Sequence, residues 1–111
     1  MLEKFIIERS IPGVGKSSPE QINEMASKSN EVLAQLGPKI HWRESYVTED
    51  KIFCVYMAEN QDLIQEHARI GGFRADKITE VKTVMDPTTG SQEGFRAMTK
   101  EEGASKELVI Q

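Results

Sequence analysis

The chain has 111 residues, 38% of them hydrophobic and 29% charged, which suits one soluble domain with a single modest core and no room for a second. Lys and Arg number 14 against 18 Asp and Glu, a net charge of −4, and this excludes a broadly basic, nucleic-acid-binding surface. Cys54 is the only cysteine, so an intrachain disulfide is impossible and a reducing, cytoplasmic setting is expected.

The N-terminal apolar run around Phe5 is too short for a signal-peptide core, and no window approaches the ~18 apolar residues of a membrane span. A first strand is predicted from Lys4 to Ile11, stopped by Pro12-Gly13. After a glycine-containing loop, Ser18, Pro19 and Gln21 form a helix start of the capping-box type. Ile22, Met25, Ala26, Ser29, Val32, Leu33 and Leu36 then recur at helical steps until Gly37-Pro38. Strands are predicted at Ile40 to Val47 and Ile52 to Ala58, joined by a hairpin-sized polar turn. A second helix, capped by Asn60, runs from Gln61 to Ile70 and stops at Gly71-Gly72. Its inward stripe includes Leu63, Ile64, His67 and Ala68. A fourth strand is predicted from Ile78 to Met85.

This order, β-α-β-β-α-β, predicts an α+β, ferredoxin-like domain over residues 1–88, with both helices on one face of an antiparallel sheet. Strand alternation leaves apolar or aromatic groups on both faces. Ile6, Trp42, Tyr46, Cys54 and Tyr56 are read as the uncovered set, a patch large enough to predict a homodimer joined through the sheets, of the dimeric α+β barrel type. Residues 89–111 are polar and are read as either a solvated tail or a dimer-contacting arm anchored by Phe95, Met98 and Leu108 to Ile110.

Gly13-Val14-Gly15-Lys16-Ser17 stands between strand and helix as a phosphate loop does, but the pattern requires glycine where Ser10 stands, so a plain glycine loop is expected. His67, on an inward helical stripe, is read first as a packed core histidine and second as a metal ligand or proton-transfer group. His41 and Glu44 are three apart and face opposite sides of a regular strand; a bulge is needed to bring them together. Without a helical His pair or paired cysteines, a structural zinc site is not expected. An imidazole and carboxylate site shared between subunits suits nickel, copper or zinc, with His67, His41 and Glu44 as candidate ligands. Glu8, Trp42, Glu44, Tyr46, Cys54, Tyr56 and His67 are the candidates for a pocket between the sheets. In that pocket, a buried carboxylate either bonds a tyrosine hydroxyl or acts as a base.

Ile7-Glu8-Arg9, Pro12-Gly13, Leu36-Gly37-Pro38, Trp42, Glu44-Ser45-Tyr46-Val47, Asp50-Lys51, Cys54-Val55-Tyr56, Glu66-His67-Ala68-Arg69 and Gly72-Phe73 keep their spacing over residues 1–88. Together they resemble a family of small bacterial ferredoxin-like proteins, some of them described as nickel-responsive or nickel-binding. The resemblance implies a ferredoxin-like dimer and a link to nickel. Arg74 departs from the proline usual after Gly-Phe in that family, and the chain extends past its usual end.

Three functions are therefore expected alternatives. The first is a dimeric, non-enzymatic binding protein for a divalent transition metal such as nickel. The second is a cofactor-free enzyme in which His67 or Glu44, with Tyr46, moves a proton on a small organic molecule. The third is an interaction module using the C-terminal extension.

Overall fold

Ser18 opens the first helix as a reciprocal cap: its hydroxyl accepts the Gln21 amide, and its own amide donates to the Gln21 side chain. Pro19 follows, where a missing N–H costs nothing. The computed structural model describes residues 1–93. It contains β1 (Glu3–Ser10), α1 (Pro19–Leu36), β2 (Ile40–Val47), β3 (Lys51–Ala58), α2 (Gln61–Gly71) and β4 (Lys77–Glu80). Asn60 caps α2 by accepting the Leu63 amide, and Gly72 ends it in the left-handed conformation at φ 68°.

The sheet has the order β2-β3-β1-β4 with every neighbouring pair antiparallel, the arrangement that the β-α-β-β-α-β reading implies. β4 is shorter than its sequence predicts. Among the described residues it pairs only with β1, from Phe5↔Glu80 to Glu8↔Lys77, and one further bond runs from the Val81 amide to the Lys4 carbonyl. Beyond that only Glu3 of β1 remains, and Val84 and Met85 are exposed. Among the described residues no helix is long and apolar enough to cross a membrane. The readings placed on Phe95, Met98 and Leu108 to Ile110 lie outside the described residues.

The glycine loop folds as a short turn, Val14–Lys16, that ties β1 to the β2–β3 hairpin. Its amides from Gly13 to Ser17 are all bonded, within the loop or to the hairpin. Gly13 donates to the Asp50 carboxylate, Gly15 to the Glu49 carbonyl, and Val14, Lys16 and Ser17 to the Ile11, Gly13 and Val14 carbonyls. A phosphate loop needs those donors free, so the loop is a structural clasp. A Cβ at Gly15 would stand 2.8 Å from the Thr48 carbonyl oxygen, which explains why no side chain fits there.

The faces of the sheet require a correction. Cys54 and Tyr56, expected on the uncovered face, instead point at the helices with Phe5, Ile7, Ile52 and Ala58, and form the core with Ile40, Val32 and Ile64. Trp42 packs against this core as well. Alternation correctly sorted β3 into two sets, but did not say which set the helices cover. Register then gives the open face Ile6, Phe53, Val55 and Met57, all half-buried, flanked by Tyr46.

Candidate functional site

The ladder between β2 and β3 contains one irregularity. Trp42 opposes Tyr56, and the next partner of β3, Val55, is opposed by Glu44, so Arg43 is the extra residue of a β-bulge. The bulge reverses the alternation downstream of it. His41, Glu44 and Tyr46, opposite Met57, Val55 and Phe53, consequently share the open face, while Trp42, Ser45 and Val47 share the helix-covered one. The Trp42 indole N–H donates to the Ser45 hydroxyl at 3.0 Å, a contact that residues three apart on a regular strand cannot make. On the open face the Tyr46 hydroxyl donates to the Glu44 carboxylate. His41 and Glu44 stand two ladder positions apart, roughly 7 Å along the strand, within the combined reach of their side chains. Glu8, on the same face, lies between Lys51 at 3.7 Å and Lys77 at 3.9 Å.

His67 occupies the opposite side. It projects from α2 into the core and is only 1% exposed. Its Nε2 shares a hydrogen bond of 3.1 Å with the Ser29 hydroxyl of α1, which is itself 3.0 Å from the Tyr56 hydroxyl of β3. This network ties both helices to the sheet. The rings of Tyr56 and Phe73 lie on either side, each with its centroid 5.1 Å from that of His67, and among the described residues Nδ1 has no partner. Burial, reinforced by the nearby Arg9 charge, lowers the His67 pKa to about 4 despite the opposing bond to Ser29, so the ring is neutral near pH 7. Burial likewise raises the Tyr56 pKa and keeps the phenol protonated.

Arg9 is the residue that the sequence reading overlooked. It continues the inward alternation of Phe5 and Ile7 and is 6% exposed. Its Nε donates to the Cys54 sulfur at 3.4 Å, one terminal nitrogen donates to the Arg74 carbonyl at 3.0 Å, and the guanidinium lies 5.1 Å from the centroid of the Phe73 ring. A cavity of about 420 Å³ opens beside it, between α1 and the sheet, within the range of small-molecule sites. Trp42, Cys54 and Tyr56 line it with Ser29, Ile22 and Met25.

The predicted site residues thus fall into two groups separated by the sheet. Glu8, His41, Glu44 and Tyr46 lie on the open face; Trp42, Cys54, Tyr56 and His67 lie on the helix side. The proton-transfer set of His67, Glu44 and Tyr46 is not assembled within one chain. Nor does His67 join His41 and Glu44, since its neighbours Ser29, Tyr56 and Phe73 are not usual nickel ligands. Among the described residues no group of three or more His, Cys, Asp or Glu side chains is placed to hold a metal ion. One chain therefore brings an imidazole and a carboxylate to the open face, a donor pair that suits nickel but is short of a full set.

A family model described as nickel responsive protein SCO4226-like matches residues 5–81. The fold is similar to that in the crystal structure of SCO4226 from Streptomyces coelicolor A3(2), with a TM-score of 0.63 and 16% identity, over 74% of this chain and 99% of that one. At that identity the likeness speaks for the fold. No curated protein matches the chain in sequence. The family match spans β1 to the start of the segment after β4 and so includes both groups of residues described above. The chain belongs to the SCO4226-like family of nickel-responsive proteins.

Proposed function

We propose that this protein is a nickel-binding protein that works as a pair of identical chains joined through their open sheet faces, with His41 and Glu44 supplying the metal donors. The observation that carries this reading is the bulge at Arg43, which places both side chains on the face that the helices leave uncovered. An imidazole nitrogen and a carboxylate oxygen belong to the donor types of tetragonal nickel(II) sites. Two copies related by a two-fold axis contribute two of each, which completes a four-donor plane that one chain cannot form. The apolar strip of Ile6, Phe53, Val55 and Met57 gives the same face a reason to associate. The family's nickel responsiveness agrees with this donor chemistry.

Isothermal titration of the full chain with nickel tests the reading. Saturation is expected at one nickel per two chains. His41→Ala and Glu44→Ala are each expected to weaken binding at least tenfold, whereas His67→Gln leaves it within twofold. The reading fails if no nickel binds, if His41→Ala retains full affinity, or if His67→Gln abolishes it.

A further inference from the structure

Arg9 is a full positive charge placed under α1 at 6% exposure. Among the described residues no salt bridge joins it to a carboxylate. Asp76, the acid next to the segment that Arg9 touches, is engaged by Arg74 at 2.7 Å and by the Ser10 amide at 2.7 Å. What Arg9 does contact is a sulfur, a carbonyl oxygen and an aromatic face, and the Tyr56 phenol is close enough to feel its charge. These groups orient the guanidinium without neutralising it. Burying a cation in this way is costly, and an isosteric apolar side chain would pack there at least as well, unless an anion meets the charge.

The cavity supplies the room for that anion. Of the guanidinium's five N–H donors, the fixed bonds to Cys54 and Arg74 hold the plane in place, so the group is oriented before any ligand arrives. The rest of the wall is mostly apolar, with Ile22 and Met25 from α1, Val47 and Ile52 from the sheet, and the Trp42 ring; Ser29, Ser45, Tyr56 and the Asp76-paired Arg74 also line it. At ~30 Å³ for each water-sized group, the cavity takes on the order of a dozen non-hydrogen atoms.

We infer that the cavity between α1 and the sheet binds a small organic monocarboxylate with an apolar body, whose head group pairs with Arg9 and whose body lies against Trp42, Met25 and Ile22. Among the described residues Arg9 is the one cation on this wall with no carboxylate partner, so the chamber favours one negative charge over a polyanion such as a nucleotide, whose remaining charges would be left unpaired. Planar bidentate pairing is the geometry in which a guanidinium holds a carboxylate best. The site is on the opposite side of the sheet from His41 and Glu44, so it stands independently of the nickel reading.

Trp42 is the only tryptophan of the chain and lines the cavity, so its emission reports occupancy directly. The experiment titrates the full chain with octanoate, 1-octanol and octylamine in buffer containing EDTA, which keeps metal binding out of the result. Octanoate is expected to shift Trp42 emission saturably and to raise Tm, 1-octanol to bind at least tenfold more weakly, and octylamine to have no effect. In Arg9→Met octanoate is expected to fall to the affinity of 1-octanol, while 1-octanol itself is unchanged, which shows the chamber still folded. Arg9→Lys is expected to keep part of the preference for octanoate. The inference is overturned if octanoate leaves Trp42 emission unmoved, if wild type binds octanoate and 1-octanol equally, or if Arg9→Met retains the wild-type affinity for octanoate.

Discussion

Acidification from pH 6.5 to pH 4 is expected to remove about 3 kcal/mol of folding stability through one side chain, His67. In the unfolded chain this imidazole takes up its proton near its ordinary pKa of 6.5, whereas in the folded chain burial, and secondarily the charge of Arg9, delays uptake to about 4. Between those values the unfolded state binds more protons, so stability falls as pH falls. The groups facing the ring are Ser29 from α1, Tyr56 from β3, Phe73 after α2 and the Arg9 guanidinium from β1, and none of them offers a negative charge to hold an imidazolium. Asp76, whose pKa the Arg74 pairing lowers from 3.8 to about 2, acts in a separate and more acidic window. Its contribution is present above pH 3.8 and is lost as pH falls toward 2. Urea unfolding at successive pH values measures this directly. His67→Gln keeps an uncharged partner for Ser29 and is expected to flatten the slope between pH 6.5 and 4.5; equal slopes in both proteins contradict the account.

On the proposed pairing, replacing Ile6 by lysine is expected to convert the pair into monomers, with association weakened at least tenfold. Ile6 sits on the open face opposite Val55 on one side and Thr79 on the other. Ile6 is already half-buried within one chain, so covering the remainder contributes about 0.8–1.5 kcal/mol, and a two-fold pair loses that twice while gaining two unpaired ammonium groups. Even the smaller value, doubled, corresponds to about tenfold. The fold should survive, because Ile6 points away from the helices and the core residues Phe5 and Ile7 are untouched. Sedimentation velocity at micromolar concentration, with circular dichroism on the same sample, checks both halves of the expectation. Nickel affinity should fall together with the association, since each monomer retains only His41 and Glu44. An Ile6→Lys protein that still sediments as a pair places the contact elsewhere.

Most of the fold is written locally in the sequence. The capping pair Ser18 and Gln21, the stop at Gly72 and the polar turn between β2 and β3 each rest on neighbouring residues, and each element stands close to where those signals put it. The failures are of another kind. Which side of β3 meets the helices depends on how the whole sheet is packed, and side-chain polarity does not reveal it, since the buried Cys54 and Tyr56 are more polar than Phe53 and Val55 on the other side. The bulge at Arg43 has no glycine to announce it; it follows from Trp42 and Ser45 both finding places on the helix side. A strict period of two therefore separated His41 from Glu44 when the structure brings them to one face. Arg9 was legible in principle, as a cation in step with Phe5 and Ile7, but its significance depends on its having no carboxylate partner among the described residues, a matter of tertiary contacts. His67 is where helical spacing put it, and its hydrogen-bonded, packed environment agrees with the simpler of its two readings.

The central claim is that two copies of one open sheet face complete a nickel site. Crystals grown with nickel, with diffraction recorded on both sides of the nickel absorption edge, test it most directly. The account predicts an anomalous peak on a two-fold axis between sheets, within bonding distance of His41 and Glu44 from both chains. A peak at His67, or nickel bound within a single chain away from the open face, contradicts it.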